Sequence, residues 1–395
     1  MTSLCPPRSV ALRSGRLYPK HGGFSLVEIL IATVLGLIIV AALTTLYGDV
    51  SRANREMAKT NGQIENARFA MQFLQNDLIH AGYWNAFVPE FDDLTFVDPP
   101  SDYPGSRPDP CKAVGTWTSA DLDALLGIVV EVYDDTPETP AHWTCTFVDD
   151  RLPDTDLLVV RHADTCAAGV GNCEAFDANQ LYFQASNCAG ELDLGNTYAL
   201  DPNQIQIRKE RDCTTDAAKR KFVQTIYYVR DYAVSAGDNI PTLVRSEFGW
   251  DGSGLVQQPA QALVEGIERF RVELGLDLES ETGEVVDPNS PILWVDPDEW
   301  RAARNRGDGI PESFFHSSDR PGGFFSVADL ANVVAVRLYV LARANEVTAG
   351  YVDNKSYQLG GSAVLASALP AGFKRHLFST TVRLNNVASR RETPL

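Results

Sequence analysis

The sequence predicts an α+β fold in which a long N-terminal helix packs on an antiparallel β-sheet. Three observations favour this fold. Residues 29–46 form a run of 18 residues without a charge. Apolar side chains then recur at helical spacing as far as Leu78, and runs of β-branched or alternating apolar residues occupy the second half of the chain. A helix followed by a series of strands is typical of α+β architecture.

The first predicted element is one helix over about residues 24–81, ending near Gly82. Its first 24 residues, 24–47, would measure about 36 Å at 1.5 Å per residue, which is enough to cross a bilayer. No proline occurs between Lys20 and Val88, so nothing forces a break. Gly48 and Gly62 are weak points inside the helix.

The part of this helix from residue 48 to 82 is predicted to lie outside the membrane and to pack on a globular domain. Its apolar side chains recur at spacings of three and four residues, which is one face of a helix: Ile64, Ala67, Met71, Leu74 and Leu78, broadened by Phe69, Ala70 and Phe73. The expected domain organisation is therefore a leader, a membrane-spanning half-helix, a second half-helix and a globular domain. Their ranges are 1–23, 24–47, 48–82 and 83–395.

Seven strand candidates follow the helix. Residues 222–230 and 242–248 are predicted to form a hairpin, and 333–341, which is almost entirely apolar, is the candidate for a central strand. Two segments rich in Pro, Asp and Gly, 85–110 and 278–322, are interpreted as loops. The remaining strand candidates are 127–133, 157–161, 270–276 and 378–384.

The net charge of −18 disfavours binding to nucleic acid, because phosphate contacts need a basic surface. We expect no nucleic-acid partner and interpret the acidity as a contribution to solubility. The predicted leader contains four basic residues and no acidic residue, so the bulk of the chain is expected to face away from the cytoplasm. These residues are Arg8, Arg13, Arg16 and Lys20.

Cys5 lies in the leader, and the other six cysteines all fall between residues 111 and 213. An even number in an exported chain favours disulfide bonds, and six cysteines allow 15 pairings. Pairing between sequence neighbours is the arrangement we favour: Cys111 with Cys145, Cys166 with Cys173 and Cys188 with Cys213. A zinc site is the alternative, although no C-x2-C pair supports it. We expect no metal and no cofactor.

The motifs of catalysis that we searched for are missing from the sequence, so we expect no enzyme. There is no G-x-S-x-G elbow, H-E-x-x-H helix or phosphate-binding glycine loop. His162 and Cys166 are close in sequence, but a disulfide-bonded cysteine beside a solvated histidine is the simpler interpretation. The acidic pair Asp92-Asp93 and the stretch 296–299 lack the ligand spacing of a calcium loop and are interpreted as solvated loops.

Glu28 is the one charge near the start of the apolar segment, five residues after Gly23. A carboxylate in a membrane-spanning segment costs about 3 kcal/mol and normally implies a partner. This arrangement resembles the signal of type IV prepilins, in which a peptidase cuts after Gly23 and Phe24 becomes the new N-terminus. Two other interpretations remain: an ordinary signal peptide cut after Ala41-Ala42, and a plain single-pass anchor.

Four later segments resemble the PilW-type minor pilins of the type IV pilin superfamily. They are LQNDLIHAGYW (74–84), LVEGIERFRVELGLD (263–277), VVAVRLYVLAR (333–343) and HLFSTTVRLNN (376–386). The resemblance covers both ends of the chain and leaves out 85–220 and 278–322. It implies a type IV pilin fold with a large loop-rich insertion and a disulfide-rich region at 111–213.

The resemblance also implies a function, which is that of a non-catalytic minor pilin that helps to initiate or cap type IV pili. Gly23 would stand on the leader side of the cut, Phe24 would be methylated, and Glu28 would pair with the N-terminal amine of a neighbouring subunit. Expected partners are the prepilin peptidase, other minor pilins, the major pilin and an adhesive tip protein. The chain would sit in the inner membrane, with its domain in the periplasm, before it joins the pilus, near the tip.

Two alternatives share this fold or this location. One is a minor pseudopilin of a type II secretion system. The other is a tip-located binding module, in which 85–220 and 278–322 grip a ligand. The helix also lacks the helix-breaking proline found in many major pilins, which fits an initiating or tip subunit.

Overall fold

The computed structural model describes residues 23–96, 98–134, 143–145, 147–203, 205–296, 298 and 301–392. The chain forms two compact units, one up to Met57 and the other from Ala58 onward. Helix α1 (Leu26–His80) is 55 residues long and contains residues of both units. The sequence-based boundaries of this helix are confirmed to within two residues, and neither Gly48 nor Gly62 interrupts it.

The first part of α1 consists of exposed apolar side chains, such as Leu37, which is 70% exposed. Among the described residues, α1 is one helix whose length and composition suffice to cross a membrane. Glu28 lies in its first turn. An apolar helix that leaves its side chains exposed needs an apolar environment around it.

The second part of α1 buries one face in its own unit. The buried side chains of this face are Gln63, Ala67, Ala70, Met71, Leu74 and Leu78. Most of the predicted stripe is therefore confirmed. Phe69 and Phe73 differ from the prediction, since they remain 48% and 41% exposed on the other side of the helix.

The other helices are short, and the strands form four sheets. The helices are α2 (Ser119–Gly127), α3 (Ala189–Leu192), α4 (Val327–Ala331) and α5 (Asn385–Arg391). The strands are β1 (Val130–Tyr133), β2 (Leu157–Ala167), β3 (Tyr182–Ala185), β4 (Tyr198–Leu200), β5 (Arg220–Arg230), β6 (Thr242–Trp250), β7 (Leu255–Gln257), β8 (Gln261–Glu265), β9 (Ile267–Leu276), β10 (Trp294–Asp296), β11 (Arg301–Ala303), β12 (Ser313–Phe315), β13 (Val333–Arg343), β14 (Ser356–Leu359), β15 (Ser362–Leu365) and β16 (Arg375–Arg383).

The larger sheet has eight strands, all paired antiparallel. Its main order is β1-β2-β5-β3-β4, and β6 joins β5 to β7 and β8. The predicted hairpin is confirmed, because β5 and β6 pair from Thr225 opposite Glu247 to Arg230 opposite Thr242. The region 85–220 adds more strands to this sheet than its loop-rich composition indicated. It contains β1 to β4 and the first residue of β5.

The second main sheet has four antiparallel strands in the order β12-β9-β13-β16. The prediction that residues 333–341 form a central strand is confirmed, because β13 pairs with β9 on one side and with β16 on the other. The second part of α1 contacts this sheet: the Gln63 side-chain amide donates to the Ala342 carbonyl at 2.6 Å, and the Gln75 amide donates to Thr380 Oγ1 at 2.7 Å.

The fold class is therefore α+β, with a long N-terminal helix packed on antiparallel strands, as predicted. Two details differ from the sequence-based description. Residues 119–127 form α2, whose start is fixed by a capping box between Thr118 and Asp121, so the next strand begins only at Val130. The segment 278–322 contains three short strands, β10 to β12, rather than loop alone.

Candidate assembly site and the contacts that support the domain

The N-terminal segment places a carboxylate one helical turn from the predicted cleavage point. Gly23, Phe24 and Ser25 precede α1, and Phe24 is 82% exposed. The Ser25 N–H donates to Glu28 Oε2 at 2.9 Å. A negative charge in the first turn also interacts favourably with the helix dipole. Glu28 therefore lies four residues after Phe24, in the first turn of the helix.

Four polar side chains of α1 attach its second part to the domain, besides the apolar stripe. Lys59 Nζ donates to the Val347 carbonyl at 3.1 Å, and Asn66 donates to the Glu265 carbonyl at 3.1 Å. Gln63 and Gln75 bind the four-stranded sheet as described. Because each of these groups bonds to a fixed atom of the sheet or its loops, the rotation of the helix about its axis is fixed as well as its position.

The C-terminal end of α1 is covered by α5. Asn386 Nδ2 donates to the carbonyls of Ile79 and Ala81 at 3.1 and 3.2 Å, and an Arg390 guanidinium nitrogen donates to the Gly82 carbonyl at 2.6 Å. Gly82 has φ +72°, and a Cβ there would lie 2.9 Å from Val387 Cγ2. Glycine is therefore needed to end the helix at this point.

Arg391 of α5 is the centre of a buried polar cluster. It donates to Asp92 Oδ1 at 2.7 Å, to Asp277 Oδ2 at 3.2 Å, to Asn332 Oδ1 at 2.9 Å and to the Ala331 carbonyl at 2.8 Å. The prediction that Asp92 lies in a solvated loop is wrong, since only 5% of this residue is exposed. Part of the other acidic stretch, 296–299, lies outside the described residues.

Two family models match the sequence. Residues 226–386 match the model described as Type IV Pilus-assembly protein W, and residues 18–44 match the Prokaryotic N-terminal methylation motif. The chain is therefore similar to the PilW family over residues 226–386 and carries a prepilin-type N-terminal motif. The first match begins in β5 and ends in α5, so it takes in β9, β13 and β16 of the four-stranded sheet. The second match contains Gly23, Phe24 and Glu28.

One solved structure, the Type IV-like pilin TTHA1219 from Thermus thermophilus, is similar at 15% sequence identity and a TM-score of 0.22. The match covers 59% of this chain and 80% of that one. Because this TM-score is low, the fold is assigned from the strands and helices described above and not from the similarity to this structure. No curated protein sequence matches this chain significantly. Proteins of the pilin family are structural rather than enzymatic, and the methylation motif with its apolar helix indicates membrane anchoring.

Three disulfide bonds cross-link residues 111–213, as the cysteine count indicated. Each joins cysteines that are neighbours in sequence, with Cα–Cα distances of 5.2, 5.6 and 4.9 Å. They are Cys111–Cys145, Cys166–Cys173 and Cys188–Cys213. With their sulfurs in these bonds, the six cysteines offer no thiolate to a zinc ion.

Asp77 of α1 and His162 of β2 form a hydrogen-bonded pair, with 2.9 Å between Oδ1 and Nε2. The other ring nitrogen, Nδ1, is 2.9 Å from the Ala163 carbonyl. The prediction that His162 is solvated is wrong, because only 8% of it is exposed. Burial acts to lower the pKa of His162, but the hydrogen bond and the charge of Asp77 outweigh burial and raise this pKa above its ordinary value of 6.5.

The Asp77–His162 pair should make the globular domain more stable in mild acid. Because the pKa of His162 is raised on folding, its contribution is fully present below 6.5 and is lost as the pH rises through the folded-state pKa. We expect His162→Gln to lower the unfolding free energy by about 1–2 kcal/mol at pH 6 and by less at pH 8.5. Denaturant unfolding at both values measures this, with the exposed His376→Gln as control. A difference that does not change with pH would contradict the prediction.

Among the described residues, three carboxylates lie close enough to hold a metal ion: Asp277, Asp308 and Glu312, whose oxygens are within 4.8 Å of one another. Asp277 is already engaged, since it accepts the Gly309 N–H at 2.9 Å and the Arg391 guanidinium. Glu312 accepts the Leu278 N–H at 2.7 Å. These bonds give the carboxylates a structural role without a cation.

Sequence reasoning missed the buried ion pairs of the globular domain. Arg161 is fully buried in β2 and donates to Glu131 of β1 at 2.6 Å and to the Gln224 side chain at 2.7 Å. Arg375 of β16 is similarly paired with Glu268 of β9, at 2.5 Å. The sequence did contain a signal for this pair. Arg161 directly follows the apolar run Leu-Leu-Val-Val in the same strand, where an unpaired charge would be costly.

Proposed function

We propose that this chain is a minor pilin that helps to initiate the assembly of type IV pili or to cap them. The observation that carries the proposal is the position of Glu28, a carboxylate one helical turn after Phe24 in a helix of exposed apolar residues. Cleavage after Gly23 would leave an amine at Phe24. An apolar layer then contains one positive and one negative charge for each subunit.

Pairing between subunits is the arrangement that satisfies both charges. An unpaired ion in a bilayer is unfavourable by about 3 kcal/mol or more, and a buried ion without its partner is strongly destabilising. If the amine of one subunit bonds Glu28 of the next, the pair also sets the axial register between two helices. A single short pair therefore provides both attraction and position.

The match to a pilus-assembly family supports a role in the pilus over one in type II secretion. Proposed partners are the prepilin peptidase, which would cut after Gly23 and methylate Phe24, other minor pilins, the major pilin and an adhesive tip protein. The chain would be held in the inner membrane by residues 24–47, with its domain in the periplasm. After assembly it would lie in the pilus, at or near the tip, and serve adhesion and motility.

The experiment that tests this proposal is intact-mass analysis with N-terminal sequencing of the membrane-extracted protein, made with and without the prepilin peptidase. We expect a chain that begins at Phe24, is methylated, and appears only when the peptidase is present. Electron microscopy of cells lacking the gene should then show few or no surface pili. A chain that retains Met1, one that starts after Ala42, or normal piliation without the gene would each overturn the proposal.

A further inference from the structure

Strand β16 is an open edge of the four-stranded sheet. It pairs with β13 through nine consecutive residues, from Arg383 opposite Ala335 to Arg375 opposite Arg343, with no register shift. In the described part of the chain no strand pairs with its other side. The side chains of His376, Ser379 and Thr381 are exposed along it.

The register shows which backbone groups face outward. The Leu384 N–H donates to the Val334 carbonyl, and the Ala344 N–H donates to the Lys374 carbonyl. In an antiparallel pair, every second residue exchanges backbone hydrogen bonds with the neighbouring strand. The even-numbered residues of β16 therefore bond to β13. The residues of odd number in β16 direct their N–H and C=O groups away from β13, and the central three are Leu377, Ser379 and Thr381.

This edge lacks the features by which proteins usually block further pairing. Exposed edges are normally short, bulged, or interrupted by proline or charge. Strand β16 has nine residues, no bulge and no proline, and its centre, 376–382 (HLFSTTV), contains no Lys, Arg, Asp or Glu. Its residues are mostly β-branched or aromatic, which favours strand pairing.

The charge around this edge is opposite to that of the whole chain. Residues 373–391 contain five Lys or Arg and no Asp or Glu, although the chain has a net charge of −18. Arg375 and Arg391 are buried in ion pairs, but Arg383 is 44% exposed at one end of β16, where it bonds the exposed Glu392. Arg390 is paired with Asp92. Arg383 is therefore the arginine of this segment that an acidic group on an incoming strand can reach, in competition with Glu392 and alongside its bond to the Gly309 carbonyl.

We propose that β16 is a docking edge that accepts an extended segment of a different polypeptide, with an uncharged centre and an acidic residue at the end that lies beside Arg383. The added strand would bond the outward groups of Leu377, Ser379 and Thr381, which is recognition by strand addition. The main-chain bonds supply affinity and the acidic end supplies orientation.

Helix α1 offers side-chain contacts beside this edge. Gln75 touches Thr380 of β16, and residues 72, 68, 64 and 61 continue its side of the helix at spacings of three and four. Alternate side chains of a strand point to the same face, so every second residue of the added strand would face this side of α1.

A second copy of this chain fits the edge poorly. Antiparallel pairing of two β16 strands about Ser379 would place Arg383 of one copy opposite Arg375 of the other. The Arg375 side chain is fully buried and paired with Glu268 and Asp353, so a second copy brings no acidic group to Arg383. A strand of different sequence with an acidic residue at this position fits the edge better.

The test measures peptide binding to the full-length protein in detergent micelles. The probe is a nine-residue peptide of alternating valine and threonine with two acidic residues at each end, and the comparison peptide has lysine in place of each acid. We expect the acidic peptide to bind at least about tenfold more tightly by fluorescence anisotropy. It should slow hydrogen exchange at the amides of Leu377, Ser379 and Thr381, while those of Phe378 and Thr380 already bond to β13.

Ser379→Pro is the decisive variant, with Ser379→Ala as its matched control. Proline at this position removes an outward N–H without removing a bond to β13, and edge strands tolerate it. We expect binding to weaken about tenfold or more in Ser379→Pro and to stay unchanged in Ser379→Ala. If the proline variant does not fold, Thr381→Glu keeps every backbone group and should still repel the acidic peptide.

Three results would overturn the proposal: equal binding of the two peptides, protection at amides outside β16, or cross-linking of Ser379 to a second copy of the chain. The proposal does not depend on the assembly role of Glu28, since the variants lie in different compact units. Failure of N-terminal processing would leave these binding measurements unaffected, so the two proposals fail separately.

Discussion

Arg391→Met is expected to lower the unfolding free energy of the domain by about 3–5 kcal/mol, which is the usual cost of removing one partner from a buried ion pair. Arg391 is 4% exposed and bonds both Asp92 and Asp277. Methionine is of similar length and fills much of the space. The lost stability therefore measures the cost of leaving the two buried carboxylates unpaired rather than the cost of a cavity. Denaturant unfolding followed by far-UV circular dichroism measures it.

The matched control is Arg304→Met, because Arg304 forms an equally short pair with Glu284, at 2.6 Å, in which both side chains are nearly half exposed. We expect this change to cost less than about 1 kcal/mol. Similar losses of unfolding free energy in the two variants would show that the buried cluster stabilises the domain no more than an exposed ion pair does.

The loss in Arg391→Met should also depend on pH. Burial raises the pKa of Asp277, against the opposing effect of Arg391. A raised pKa gives stability that is fully present below the ordinary value of 3.8 and lost as the pH rises through the folded value. Without Arg391 this pKa rises further, so the deficit should be smaller at pH 4.5 than at pH 7.

Glu28→Leu is expected to reduce surface pili to about a tenth or fewer of the wild-type number, without unfolding the outer domain. Leucine leaves the N-terminal amine of a neighbouring subunit unpaired in an apolar layer, at a cost of about 3 kcal/mol. That cost corresponds to about a hundredfold in the equilibrium constant for insertion. Counting pili by electron microscopy measures the effect, and immunoblotting of membranes checks that the protein is present.

Glu28→Gln and Ser51→Leu serve as controls. Glutamine keeps the shape and one carbonyl oxygen but not the charge, so piliation should fall with it as well. Ser51 lies in the same helix and carries no charge, so its replacement should leave piliation near the wild-type level. Normal piliation in Glu28→Leu would remove the main support for the assembly role.

The sequence predicted the elements whose patterns are local. The extent of α1 followed from an unbroken apolar run and the lack of proline, and the central position of β13 followed from its continuous apolar residues. The short strands β3, β4, β7 and β10 to β12 have three or four residues each, which is too few for a period to be recognised. Their place in the sheets is decided by partners elsewhere in the chain.

Polar residues were harder to interpret, because their burial depends on groups far away in sequence. Asp92 is buried through Arg391, 299 residues later, and His162 through Asp77, 85 residues earlier. Neither partner could be assigned from spacing. The prepilin-type site was visible because Gly23, Phe24 and Glu28 lie within six residues of one another, and its role stays a prediction.

The spacing of the three disulfide bonds has a consequence for how the protein is made. The cysteines of each bond are separated by 34, 7 and 25 residues, and no bond crosses another in sequence. If the chain is exported N-terminus first, each cysteine meets its partner before the first cysteine of the next pair emerges. Oxidation in the order of emergence then gives the native pairs directly, so the secretion of this domain should need an oxidant but little help from a disulfide isomerase.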